Sequence, residues 1–145
     1  MSDEPSPEWA PLVPELTVTN IEVSLRFYRA AGFSVRFDRD QPPFAYLDLG
    51  SAQLMLEQDH ESAWNTAPLE HPFGRGVNLQ IEVSDCSAIE DSLRQEGYTL
   101  FRSAQDTWYQ IDETIEEGQR EMLAHDPDGY LLRFSQPLGR RRLTP

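Results

Sequence analysis

The sequence predicts an α+β fold built from two βαβββ modules, each a curved mixed sheet with one helix on its outer face. Two observations predict it. The stretch "VTNIEVSLRFYRAAGFSV" returns as "VSDCSAIEDSLRQEGYTL" at one constant offset of 65, with Val18, Asn20, Gly32, Phe33 and Val35 matching Val83, Asp85, Gly97, Tyr98 and Leu100. Around both copies, short runs alternate apolar and polar residues with the period of a half-buried strand.

Each repeat reads strand, helix, strand. Asn20 and Asp85 carry side-chain oxygens that can accept from the free N–H groups at a helix start, and Gly32 and Gly97 suit the left-handed residue that closes a helix. Helical spacing turns Ile21, Leu25 and Tyr28 to one side of the first helix, and Ile89 and Leu93 to one side of the second. Further strands are expected at "SVRF", "FAYLDL" and "QLMLE" in the first copy, and at "TLF", "REMLA" and "YLLRF" in the second. The predicted organisation is an acidic, proline-containing flexible arm over residues 1–11 and a single domain over 12–137. Within that domain, module one covers about 12–58, a linker about 59–76 and module two about 77–137. A basic tail at 138–145 completes the chain.

Period-two alternation divides each strand between two faces. Leu16 and Val18 oppose Val13, Glu15 and Thr17; Leu54 and Leu56 oppose Met55 and Glu57; Ile81 and Val83 oppose Asn78, Gln80 and Glu82; Leu132 and Phe134 oppose Leu131 and Arg133. One face is apolar enough to lie beneath helices. The other gathers Glu15, Glu57, Asn78, Gln80, Glu82 and Arg133, which suits either a solvated ligand groove or a plain exposed sheet face.

The chain has 145 residues, and its 12 Lys plus Arg against 25 Asp plus Glu give a formal net charge of -13. Such a field opposes nucleic acid and anionic lipid and favours cations. A single cysteine, Cys86, permits no intramolecular disulfide; near a helix start it reads as a buried thiol. The absence of a signal-like start or an apolar run of spanning length predicts a cytoplasmic protein with no membrane partner.

Metal and nucleophile motifs are missing. His60, His71 and His125 follow no metal-binding spacing, although Glu57, Asp59 and His60 are close in sequence. "DPDG", Asp126–Gly129, has the residue types of a tight turn and is too short for a calcium loop. No catalytic residue is assigned.

The segments "VPELTVTNIEVSLRFYRAAGFSVRF", "LGSAQLMLEQ", "NLQIEVSDCSAIEDSLRQEG" and "AHDPDGYLLRFSQP", in that order over about Leu12 to Pro137, resemble the vicinal oxygen chelate superfamily. The closest resemblance within it is to bleomycin resistance proteins. The resemblance implies metal ligands on inward strand positions, which here fall at Val13, Glu57, Asn78 and Arg133. Only Glu57 is of ligand type, and the fixed charge of Arg133 opposes a cation, so no metal and no cofactor is expected. It also implies a homodimer whose grooves sequester a bleomycin-like cationic glycopeptide. Phe44, Tyr46, Trp64, Trp108 and Tyr109 supply aromatic faces, while Glu57, Asn78 and Arg133 complete the expected ligand-binding set. Two other readings remain: a metal-dependent lyase or dioxygenase using Glu57 with His60 or His125, and a binding module for another amphiphilic metabolite.

Overall fold

A computed structural model describes residues 8–144. The elements run β1 (Glu15–Val18), α1 (Ile21–Ala30), β2 (Ser34–Asp40), β3 (Pro43–Leu49), β4 (Ala52–Gln58), β5 (Asn78–Glu82), α2 (Cys86–Gln95), β6 (Arg102–Gln110), β7 (Ile115–His125) and β8 (Leu131–Arg142). They form two four-stranded sheets, ordered β1-β4-β3-β2 and β5-β8-β7-β6. In each, the first strand pairs in parallel with the last and the remaining pairs are antiparallel. The two βαβββ modules predicted from the repeat are therefore present.

Two compact units result: the residues up to Arg75 together with Asp126–Tyr130, and Gly76–His125 together with the residues from Leu131. In the first, Asn20 caps α1 by accepting from the N–H groups of Glu22 and Val23, and Gly32 follows the helix at φ 105°. The helix buries Ile21, Ser24, Leu25, Phe27 and Tyr28. Leu16, Ala45, Leu47, Leu54 and Leu56 are buried in the strands of the same unit. In the second unit, Asp85 caps α2 through the Ala88 N–H, and Gly97 follows at φ 87°. Here Cys86, Leu93, Ile81, Met122, Leu132 and Phe134 are buried.

Three boundaries differ from the sequence prediction. The strand expected at "TLF" begins only at Arg102 and runs to Gln110, while β7 begins at Ile115 instead of Arg120. "DTWYQIDE" is therefore the end of a strand and a turn, held by the Asp112 carboxylate accepting from the N–H groups of Thr114 and Ile115. Residues 138–142 of the expected basic tail are the end of β8, where Arg140 and Arg141 pair with Glu117 and Glu116 of β7. Of the expected arm, residues 1–7 lie outside the described residues, and Glu8–Ala10 are held by hydrogen bonds to Gln53 and Arg36.

The "DPDG" turn between β7 and β8 packs among residues of the first unit. The Asp126 carboxylate accepts from the Tyr28 hydroxyl at 2.7 Å and from the N–H groups of Asp128 and Tyr130 at 2.9 Å. Asp128 accepts from the Thr19 hydroxyl and N–H, and the Tyr130 hydroxyl donates to the Thr17 carbonyl. Gly129 takes φ 97°, and a Cβ there would lie 2.5 Å from Pro72, so this turn requires glycine twice over.

Burial raises the Asp126 carboxyl to about 6 against these hydrogen bonds. Its contribution to stability is full below the ordinary aspartate value of about 3.9 and is lost as pH rises through about 6, a change of about 3 kcal/mol. Urea unfolding of the native protein and Asp126→Asn between pH 4 and 7 checks this. The native protein should gain on the variant as pH falls, whereas a constant difference contradicts the assignment.

Candidate functional site

The polar face of the first sheet is a grid set by register. One row crosses β1, β4, β3 and β2 as Thr17, Glu57, Phe44 and Arg39; the next is Glu15, Met55, Tyr46 and Phe37. Glu57, Phe44 and Tyr46, all expected at a site, thus share one face. The aromatics are not open, however: Phe44 and Tyr46 are 4% and 6% exposed. Phe37 stacks on Tyr46 at 5.4 Å and contacts Phe44 at 5.7 Å, while the Arg39 guanidinium lies 4.5 Å above the Phe44 ring. Trp9 meets Tyr46 edge-on at 4.9 Å, with Arg36 over its own ring.

Gln53 organises that cover. Its Oε1 accepts from the Tyr46 hydroxyl and the Ala10 N–H, and its Nε2 donates to the Glu8 carbonyl. Arg36 is held by Asp48 at 2.5 Å. None of Trp9, Arg36, Gln53 and Asp48 was singled out in the sequence. Arg36 and Asp48 do not sit opposite in an ordinary register, because a bulge between Val35 and Phe37 shifts the pairing.

Beside the aromatics lies negative charge. Burial and then the charge of Glu57 raise the Glu15 carboxyl, with Arg39 opposing. Glu57 contacts the His60 ring at 3.2 Å, so the pair close in sequence does meet. Among the described residues, no arginine forms an ion pair with Glu15 or Glu57. Trp64 stands 92% exposed in the loop before β5 and makes no ring contact among the described residues.

The polar face of the second sheet is ionic. Its rows are Gln80, Arg133, Leu123 and Arg102, then Glu82, Ser135, Glu121 and Gln105. Arg133 donates to the Gln80 side chain, and its Nε lies 3.3 Å from the carboxylate of Glu121, which is 2% exposed. Glu121 also accepts from the Tyr109 hydroxyl at 2.5 Å, which raises the Tyr109 pKa. Ser135 donates to Gln119 on the same face. Asn78 is exposed at the start of β5, opposite Leu131. Glu121 was overlooked, although alternation in "REMLA" already opposes it to Met122.

Trp108 and Tyr109 are neighbours and so point to opposite faces. Tyr109 joins the Glu121 network, whereas Trp108 covers Gly118 on the other face, with Arg141 stacked 3.8 Å above its ring. A Cβ at Gly118 would sit 2.7 Å from that ring. The strand assignment of "DTWYQ" is what separates the two.

At the positions where the resemblance implies metal ligands, Val13 has no donor, Asn78 is exposed, Arg133 is a cation held by Glu121, and Glu57 contacts His60. No group of three His, Cys, Asp or Glu side chains that could hold a metal ion occurs among the described residues. Cys86 is buried with its Sγ 3.6 Å from the Phe134 carbonyl, and burial pushes the thiol up to about 11, away from the reactive thiolate.

No family model matches the chain. An uncharacterized protein of Mycolicibacterium smegmatis (strain ATCC 700084 / mc(2)155) is 28% identical over 125 residues, 86% of this chain and 91% of that protein. A glyoxalase/bleomycin resistance protein/dioxygenase superfamily member from Vibrio splendidus 12B01 shares 32% identity over 87% of this chain and 97% of its own, at a TM-score of 0.41. A protein of unknown function from Agrobacterium tumefaciens str. C58 superposes at a TM-score of 0.66, with 22% identity over 90% of this chain and 96% of its own. TioX from Micromonospora sp. ML1 superposes at 0.64, with 20% identity over 88% and 95%. The likeness of fold rests on these last two.

Glu121→Gln tests the network on the second sheet. It retains a group that can bond the Tyr109 hydroxyl but removes the charge that opposes phenolate formation. Ultraviolet titration should place the Tyr109 pKa lower in the variant; an unchanged value rules out Glu121 as the cause.

Proposed function

From a chain with the fold of the vicinal oxygen chelate superfamily, whose polar sheet faces carry carboxylates and aromatic rings in place of a metal-ligand set, we propose a non-catalytic binding protein. Its ligand is a cationic, ring-bearing small molecule of the bleomycin class, which it sequesters in the cytoplasm without chemical change. The observation that carries this reading is the pairing of Glu15 and Glu57 beside Phe44 and Tyr46, with no arginine ion pair to either carboxylate among the described residues.

The physical case is electrostatic. Two carboxylates near enough for one to raise the other's pKa gain when a cation arrives, because it offsets their mutual repulsion. Phe37 and Trp9, the exposed rings that cover Phe44 and Tyr46, offer a planar ligand a stacking surface, and the net charge of -13 draws a cation from a distance. The protein acts as a homodimer in this proposal. Trp64, Asn78, Trp108, Tyr109 and Arg133 are further candidates for ligand contact, with Trp108 requiring a ligand on the opposite sheet face from Tyr109.

Calorimetric titration with metal-free bleomycin at low and high salt tests the proposal. Saturable binding is expected, weakening with salt and weakening by about tenfold in Glu57→Gln, the equivalent of about 1.4 kcal/mol. Lowering the pH should weaken binding sooner than an ordinary glutamate would, since the Glu15 carboxyl is raised and its protonation removes one attracting charge. Absence of saturation at high micromolar drug, or recovery of modified drug, overturns the reading.

A further inference from the structure

All twelve basic side chains of this protein are arginine. Four of them, Arg36, Arg102, Arg120 and Arg133, are half-buried. Three of these four have a carboxylate nearby: Asp48 at 2.5 Å from Arg36, Asp106 at 2.7 Å from Arg120, and Glu121 at 3.3 Å from Arg133. Arg102 differs. Like that of Arg133, its Nε is shut off from solvent with no hydrogen-bond partner, but among the described residues no carboxylate pairs with Arg102. The other arginines without a carboxylate partner among the described residues, Arg26, Arg29, Arg39 and Arg142, are exposed, where water solvates the charge.

An Nε–H buried without an acceptor costs free energy, which a ligand acceptor would relieve. Its surroundings indicate what kind of group that is. Arg102 opens β6 and lies opposite Leu123 on the polar face of the second sheet, in the row that also holds Arg133 and Gln80. Arg102 and Arg133 are two strand spacings apart, roughly 10 Å between backbones, within reach of one ligand carried by two long side chains. Between them Leu123 gives an apolar floor, and Phe101, the exposed residue before Arg102, packs edge-on against His125 at 5.0 Å.

We infer that Arg102 is the anchor of an anion site on the second sheet, taking the carboxylate of a small molecule whose apolar frame lies over Leu123, with Arg133 as the second contact. Arg133 is already engaged by Glu121, so Arg102 supplies the uncompensated charge. The inference concerns the opposite charge from the Glu15 and Glu57 contact on the first sheet; it shares Arg133 with the further candidate drug contacts but does not rest on the drug reading.

Benzoate and inorganic phosphate are the probes, each titrated into the whole protein while the arginine Nε–Hε resonances are followed by nuclear magnetic resonance. A saturable shift at Arg102 with benzoate, half-complete in the low millimolar range, is expected, with little response from the exposed Arg26 and Arg29. A stronger response to phosphate overturns the carboxylate assignment. No saturable shift with either ion, or equal shifts at all arginines, overturns the site. Thermal unfolding of Arg102→Met without ligand is the second measurement. Removing an uncompensated charge should raise the midpoint by about 3 °C, and a fall would mean that the guanidinium serves packing instead. Neither measurement uses bleomycin, so failure here leaves the drug reading standing, and the converse holds.

Discussion

Each four-stranded sheet has one ten-residue helix to shield it, so only one of its two faces can be dry in the ordinary way. Everything else about these faces follows from that shortage of cover. Strand alternation delivers the aliphatic residues to the helix side and leaves the other side to be solved by other means. The two units solve it differently. In the first, large rings are laid on the open face and then covered by arginines and by Trp9. In the second, a carboxylate is buried and then neutralised by Arg133 and a tyrosine hydroxyl.

These solutions leave different charges unpaired on the two sheets. On the first sheet the arginines are spent on rings and on Asp48, and none forms an ion pair with Glu15 or Glu57 among the described residues. On the second, Glu121 pairs with Arg133, while Arg102 and the exposed Glu82 form no ion pair among the described residues. A net charge of -13 would suggest a uniformly acidic surface. The cross-strand register instead sets both signs on these faces, and it is the local sign that a ligand meets.

Legibility in the sequence followed the range of the interaction. The repeat, both helix caps and both closing glycines are local features, and Asn20, Asp85, Gly32 and Gly97 take the roles their types suggest. The inward and outward sides of β4, β5 and β8 were readable for the same reason. β6 was not, because "RSAQDTWYQ" carries its apolar residues without a clean period of two and starts with a bulge. The basic end of β8 looked like a tail because its stabilising partners, Glu116 and Glu117, lie more than twenty residues earlier. The cover over Tyr46 was equally unreadable: it joins Trp9 to Gln53, and only the fold brings an amide side chain from β4 to the backbone of Glu8 and Ala10.

The "DPDG" turn shows how chemistry-bearing residue types are reassigned by their partners. Two aspartates and a nearby histidine are the materials of a cation site, but each carboxylate here already faces donors from the chain: Tyr28 and two N–H groups for Asp126, Thr19 for Asp128. A carboxylate supplied with that many donors has little left to offer an ion. The residual energetic problem is burial, which raises Asp126 and makes the turn sensitive to protons instead of metals. Eight residues after Asp126 begins the turn's work, the strand has already passed Arg133, where the same logic runs in reverse. The position at which the family resemblance implies a metal-binding carboxylate holds a cation, and the chain supplies Glu121 from the neighbouring strand as its ion-pair partner. Both arrangements substitute internal partners for an external ion, whereas Arg102 has no carboxylate partner among the described residues to do so.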